Sequence, residues 1–260
     1  MARGARRQAR RFLIMRRFFI DKSLKEGDRA ILGGDEARHI VSVLRMGAGD
    51  ELILINGSGE EMSARIESVS KDEVSFTVIG VSACAAEPKN RVTLFQGLPK
   101  SDKLEFIIQK CVELGIYAVC PVQMKRSVVK GERNAAKLER YNRIAAEAAK
   151  QCGRAYAPRV FSSPSLDECA LSEFDLVLIA YEDEGENSLK SVLTAQKDAL
   201  PESADIAIVI GPEGGFEPSE VEHLLGANKN VHSVSLGTRI LRTETAGMAL
   251  LAMLMYELEG

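Results

Sequence analysis

Two loops carry the residues best suited to chemistry. Ile210-Gly211-Pro212-Glu213-Gly214-Gly215-Phe216 comes directly after the apolar run DIAIVI, and Leu236-Gly237-Thr238-Arg239-Ile240-Leu241-Arg242-Thr243-Glu244-Thr245 comes directly after VHSVSL. In an open parallel sheet, ligands bind outside the carboxyl ends of the strands, which is where both loops would lie. Glycine that merely makes a tight turn would account for either loop alone. The chain has no GxGxxG after a strand, no GxxxxGKS or GxxxxGKT, no GxSxG elbow and no zincin motif. That weighs against dinucleotide oxidoreductases, P-loop NTPases, serine hydrolases of the elbow type and zinc proteases. His39, His223 and His232 suggest no Ser-His-Asp set, and five cysteines without a CxxC pair suggest neither a zinc site nor a disulfide framework.

The elements that must hold these loops follow from periodicity. From Arg16 to about Val81, the runs RRFFI, RAIL and ELILIN, then Met62, Ala64, Ile66 and Val74, Phe76, Val78, alternate apolar with polar positions, with glycine-rich breaks such as Asn56 to Gly59 between them. That pattern predicts a small antiparallel barrel with one short helix over Asp35 to Leu44. Residues 83–91 are small, polar and proline-containing and read as a linker. Beyond Arg91, the runs VTLFQ, IYAVCPV, DLVLIAY, DIAIVI and VHSVSL alternate with helical segments, which predicts a mostly parallel α/β sheet covered by helices on both faces. Helices are expected over Asp102 to Leu114, through Leu138 to Cys152, and over about Glu244 to Leu258. The last is apolar nearly all round, as a central core helix or a dimer-interface helix would be.

Composition narrows the classes further. With 260 residues, 45% hydrophobic and 27% charged, the chain reads as one large or two modest globular domains. The longest apolar stretch, Met248 to Tyr256, falls short of the roughly 18 residues of a membrane span, and the N-terminus lacks the apolar core of a secretory signal; the expectation is a cytoplasmic protein. A net charge of −3 excludes a protein basic over its whole surface, yet the first 17 residues hold seven arginines and no acid, leaving −10 on the rest. Residues 1–14 are an upstream extension or a disordered basic arm that touches phosphates. Few aromatics (5%) and no tryptophan disfavour a base-stacking platform.

The combination of IGPEGGF and SLGTRILRTETA with LPKSDKLEFIIQKCVELG, AAEAAKQCGR and a start of MRRFF resembles the ribosomal RNA small subunit methyltransferase E family, from about Met15 to Gly260. Members of that family are uridine-N3 methyltransferases of 16S rRNA within the SPOUT superfamily. The resemblance implies a PUA-like RNA-binding barrel over residues 15–82 and, over 92–260, an α/β domain whose C-terminal part threads a trefoil knot. It implies a homodimer acting on 16S rRNA of the small ribosomal subunit at a decoding-region uridine, with S-adenosyl-L-methionine as cofactor and no metal. The cofactor residues would be Ala180, Gly211, Pro212, Glu213, Gly214, Gly215, Leu236, Gly237, Ile240 and Leu241.

Residue chemistry fits those roles. The glycines let backbone approach a ligand, Ile240 and Leu241 offer an apolar wall, and Glu213 could favour the sulfonium charge or serve only as a turn carboxylate. Arg242 could stabilise negative charge on the uracil carbonyls, or make a structural ion pair. Glu244 is a weaker candidate for general base, since the first helical turn favours a carboxylate anyway. Arg16, Arg17, Arg38 and Arg45, with Lys100, Lys103, Arg126 and Lys130, could bind phosphates and set register, or be ordinary solvated charges. A non-catalytic ribosome-assembly factor, a SPOUT methyltransferase with another RNA target and a pseudouridine synthase are the competing readings.

Overall fold

The computed structural model describes residues 17–20, 22–100, 103–129, 135–163, 165–227 and 229–259. The basic extension 1–14, Arg16, Asp102 and Lys130 lie outside the described residues. The chain divides into two compact units, one running to Glu87 and including Ala149–Ala157, the other formed by Pro88–Ala148 and Pro158–Gly260.

The first unit is a five-stranded sheet of β1 (Arg17–Phe19), β2 (Arg29–Gly33), β3 (Glu51–Ile55), β4 (Glu60–Val69) and β5 (Glu73–Ala83), in the order β1-β3-β4-β5-β2. Helix α1 (Gly34–Arg38) runs on into a π-helical turn, His39–Val43, where a single helix is expected from the sequence. Alternation fixes which face is inside: Leu52, Leu54, Met62, Ala64, Ile66, Val74, Phe76 and Val78 are buried and close on Phe18 and Ile40. Each large side chain so buried contributes about 1.5–3 kcal/mol. The sheet is not wholly antiparallel as predicted: β1 pairs parallel to β3, with Phe18 opposite Leu54. A three-residue strand carries an alternation pattern but no information on its partner's direction.

Residues 149–157 complete this unit. Arg17, an expected phosphate ligand, is 8% exposed and instead forms an ion pair with Glu61 at 2.7 Å and donates to the Gly153 carbonyl. The Glu87 carboxylate accepts from the backbone N–H groups of Ala155 and Tyr156 at 2.8 and 2.9 Å, and from Arg154 at 2.7 Å. Ala155 packs with Ile55 and Cys84 in a small satellite core.

The second unit is a six-stranded parallel sheet of β6 (Arg91–Gly97), β7 (Ala118–Val122), β8 (Arg159–Val160), β9 (Leu176–Ala180), β10 (Asp205–Ile210) and β11 (Val231–Val234), in the order β11-β9-β10-β6-β7-β8. The two-residue β8 is too short to show periodicity. Its helices are α2 (Lys103–Glu113), α3 (Ala135–Cys152), α4 (Leu189–Gln196), α5 (Pro218–Ala227) and α6 (Thr243–Glu259), the end of α3 counting with the first unit. Burial on both faces explains the unbroken apolar strands. Val209 packs with Val221 and Leu224 of α5 on one face, while Gly247 of α6 faces Leu94 and Ile210 on the other. Helix α6 buries Leu250, Leu251 and Leu254 but leaves Met253 and Tyr256 exposed. The strand order reverses between β6 and β10, which directs attention to the carboxyl ends of the central strands.

Candidate active site

Three loops leave the carboxyl ends of β9, β10 and β11. The first and third enclose a cavity of about 400 Å³, lined among others by Ala180, Glu182, Leu236, Gly237, Ile240 and Leu241. Pockets for cofactor-sized ligands begin at about 300 Å³. Of the ten expected cofactor residues, Ala180, Leu236, Gly237, Ile240 and Leu241 line this cavity. Gly211 to Gly215 form the second loop, which abuts it. Gly215 has φ +68°, and a Cβ there would stand 2.2 Å from Oε1 of the cavity-lining Glu182. Position 215 thus requires a left-handed backbone, and any side chain there would also have to displace the flexible Glu182 carboxylate.

The second loop is tied to the start of α6. The Thr243 hydroxyl donates to the Gly211 carbonyl at 2.6 Å and accepts from the Gln96 amide at 2.8 Å. Gln96 is fully buried and its Oε1 has no hydrogen-bond partner among the described residues. Gly97, at the end of β6, is more tightly constrained by its neighbours, because a Cβ would lie 2.5 Å from the Pro212 backbone nitrogen. Sequence reasoning missed Gln96 and Thr243; the signal available was a lone amide closing the otherwise apolar strand VTLFQ.

Charges converge beside this clasp. Glu213 accepts from the Lys100 backbone N–H at 3.0 Å, and Lys103 Nζ lies 3.1 Å from Glu213 Oε1 and 3.2 Å from Glu244 Oε2. Desolvation pushes the Glu213 carboxyl up, but the Lys100 N–H and the Lys103 ammonium outweigh it and hold it below the usual carboxylate range. Glu244 is also held low, first by its own backbone N–H at the helix start and then, against desolvation, by Lys103. The two carboxylates raise Lys103 in turn. Arg242 projects its guanidinium outward, 82% exposed, with Nη1 4.0 Å from Glu244 Oε1.

Glu184 fixes the first loop. Desolvation raises its carboxyl, yet hydrogen bonds from the Ser233 hydroxyl and from the Asn187 and Glu186 backbone N–H groups prevail and hold it at about 2. A group depressed from 4.5 to about 2 stabilises the fold fully above pH 4.5 and loses that contribution as pH falls toward 2. Wild-type protein should therefore lose more thermal stability between pH 4.5 and pH 2 than Glu184→Gln does. Melting curves with equal pH slopes for the two proteins would refute this.

Of the other expected RNA contacts, Arg38, Arg45 and Lys100 are exposed. Arg38 sits beside Asp35, and Arg45 adopts φ +52°, the only positive φ outside glycine among the described residues. Arg126 pairs with Glu217 at 2.9 Å and donates to the Gly214 carbonyl at 3.3 Å, so it also buttresses the second loop.

Comparison with known proteins agrees with this architecture. A family described as RNA methyltransferase domain matches residues 86–255, and one described as RNA methyltransferase PUA domain matches residues 32–79. Fold and site therefore define an RNA methyltransferase with a PUA-type N-terminal unit. A relative from Bacillus subtilis (strain 168), ribosomal RNA small subunit methyltransferase E, is 40% identical over 94% of this chain and 98% of its own length. A Neisseria gonorrhoeae protein of the same name, in a crystal structure bound to S-adenosyl methionine, superposes with a TM-score of 0.75 at 28% identity, covering 93% and 97% of the two chains. A Legionella pneumophila methyltransferase in complex with the same cofactor gives 0.70 at 30% identity over 92% and 96%. The chain belongs to the ribosomal RNA small subunit methyltransferase E family.

Proposed function

We propose that this protein transfers a methyl group from S-adenosylmethionine to N3 of a uridine in 16S rRNA of the small ribosomal subunit, acting in the cytoplasm as a homodimer. The observation that carries this reading is the cavity at the carboxyl ends of β9 and β11, with the glycine loop after β10 against its wall, in a chain of this family. Ala180, Leu236, Gly237, Ile240 and Leu241 would hold the cofactor, with Gly211 to Gly215 shaping the side that Glu182 closes. When bound, the cofactor supplies an electrophilic methyl group on a sulfonium.

The chain's own residues supply orientation and charge. Uridine N3 must lose its proton, here to water, before its electron pair can attack the methyl carbon, and negative charge on the deprotonated uracil spreads over the neighbouring carbonyls. Arg242 is suited to that charge because its guanidinium is exposed and always protonated. Glu244, ion-paired and held below the ordinary carboxylate range, is a poor proton acceptor and serves as a counterion. Arg38 and Arg45 in the first unit, and Lys100 and Arg126 in the second, would contact phosphates. The exposed Met253 and Tyr256 on an otherwise apolar α6 support the dimer. A trefoil knot in the C-terminal part of the second unit belongs to the same reading and rests on membership of this family.

Incubation with methyl-labelled S-adenosylmethionine and small subunits lacking the modification tests the proposal. Label recovered in N3-methyluridine is the expected result. Label in another nucleoside would move the specificity, and cofactor binding without transfer would favour a non-catalytic assembly factor.

A further inference from the structure

Lys103 is among the cations expected to touch RNA phosphates, but its geometry gives it another task. Its ammonium bridges Glu213 on the loop after β10 and Glu244 in the first turn of α6, at 3.1 and 3.2 Å, and the three side chains are only 32%, 25% and 19% exposed. Glu244 stands two residues after Arg242, whose guanidinium is the second cation within its reach, at 4.0 Å. The four charges sum to zero. The closer, better shielded contact goes to Lys103, so the charge of Glu244 is compensated from the interior and Arg242 remains solvent-facing.

Without the ammonium, two carboxylates would confront each other, and Arg242, already 4.0 Å from Glu244, would be drawn in to relieve them. We propose that Lys103 is a positioning residue that occupies Glu244 and thereby keeps the Arg242 guanidinium available to the substrate. This rests on the methyl-transfer reading for its catalytic consequence, though not for its effect on Arg242 itself.

Lys103→Met retains the aliphatic stem and removes the charge. Its turnover at saturating cofactor should fall roughly 10- to 100-fold, the scale of a misplaced catalytic group, with calorimetric cofactor affinity within about threefold of wild type. Lys103→Arg should recover most of the rate. Adding Glu244→Gln to Lys103→Met should also recover it, by removing the carboxylate that captures Arg242; a purely structural loss would deepen instead. Full turnover in Lys103→Met, a matching loss of cofactor affinity, or a double variant no faster than Lys103→Met would each overturn the proposal.

A second measurement separates this idea from the reaction assignment. In cofactor-free protein, ¹⁵N NMR of the Arg242 guanidinium should show restricted rotation in Lys103→Met and free rotation in wild type and in the double variant. Free rotation in all three overturns the proposal even if the RNA substrate is misassigned. Absence of transfer by the wild type, with the NMR pattern as expected, would overturn only the reaction.

Discussion

Arg242→Ala is expected to reduce methyl transfer to the small subunit by about 10²–10³-fold, the range seen when one donor to a developing oxyanion is lost. Cofactor affinity should stay within about threefold, because the Arg242 side chain is 82% exposed and does not line the cavity. Its one close charge among the described residues is Glu244 at 4.0 Å, so truncation breaks no buried pair and the melting temperature should hardly change. Single-turnover assays with prebound cofactor separate chemistry from binding. Full turnover would remove Arg242 from the mechanism, whereas equal losses in affinity and rate would make it a cofactor ligand.

Gly215→Val is expected to weaken cofactor binding by about a hundredfold or more, since a β-branched residue at a left-handed φ is a strained outlier. The φ of +68° resists any L side chain, and the new Cβ would displace the exposed Glu182 carboxylate, whose Oε1 lies 2.2 Å away, so the backbone carries most of the cost. Calorimetry measures the affinity directly, and an unchanged value would refute the argument. Pairing Gly215→Ala with Glu182→Ala removes the overlap and leaves the backbone strain. Partial recovery in that pair would assign part of the effect to the wall.

The periodic parts of the chain were legible in the sequence. Runs such as DIAIVI and VHSVSL became β10 and β11, and the glycine loops after them emerge at the carboxyl ends of the sheet, because apolar repetition reports burial on both faces. What escaped was pairwise. Nothing in RRFFI reveals that Phe18 lies parallel to Leu54, or that Arg17 turns inward to Glu61. The clasp from Gln96 through Thr243 to Gly211 joins residues up to 147 positions apart, and Lys103 meets its two carboxylates only after α2, the second loop and α6 are assembled. Local composition cannot encode such meetings, so Lys103 read as one more surface cation.

The contribution of residues 149–157 to the first unit also sets an order of events during synthesis. Strand β5 ends at Ala83, yet the partners of Arg17 and Glu87 at Gly153, Arg154, Ala155 and Tyr156 are translated some 70 residues later. Until those residues are made, neither the Arg17 guanidinium nor the Glu87 carboxylate has these partners. The bonds that complete the first unit can therefore form only after β6, β7 and the whole of α3 have been translated, which ties that step to growth of the second unit.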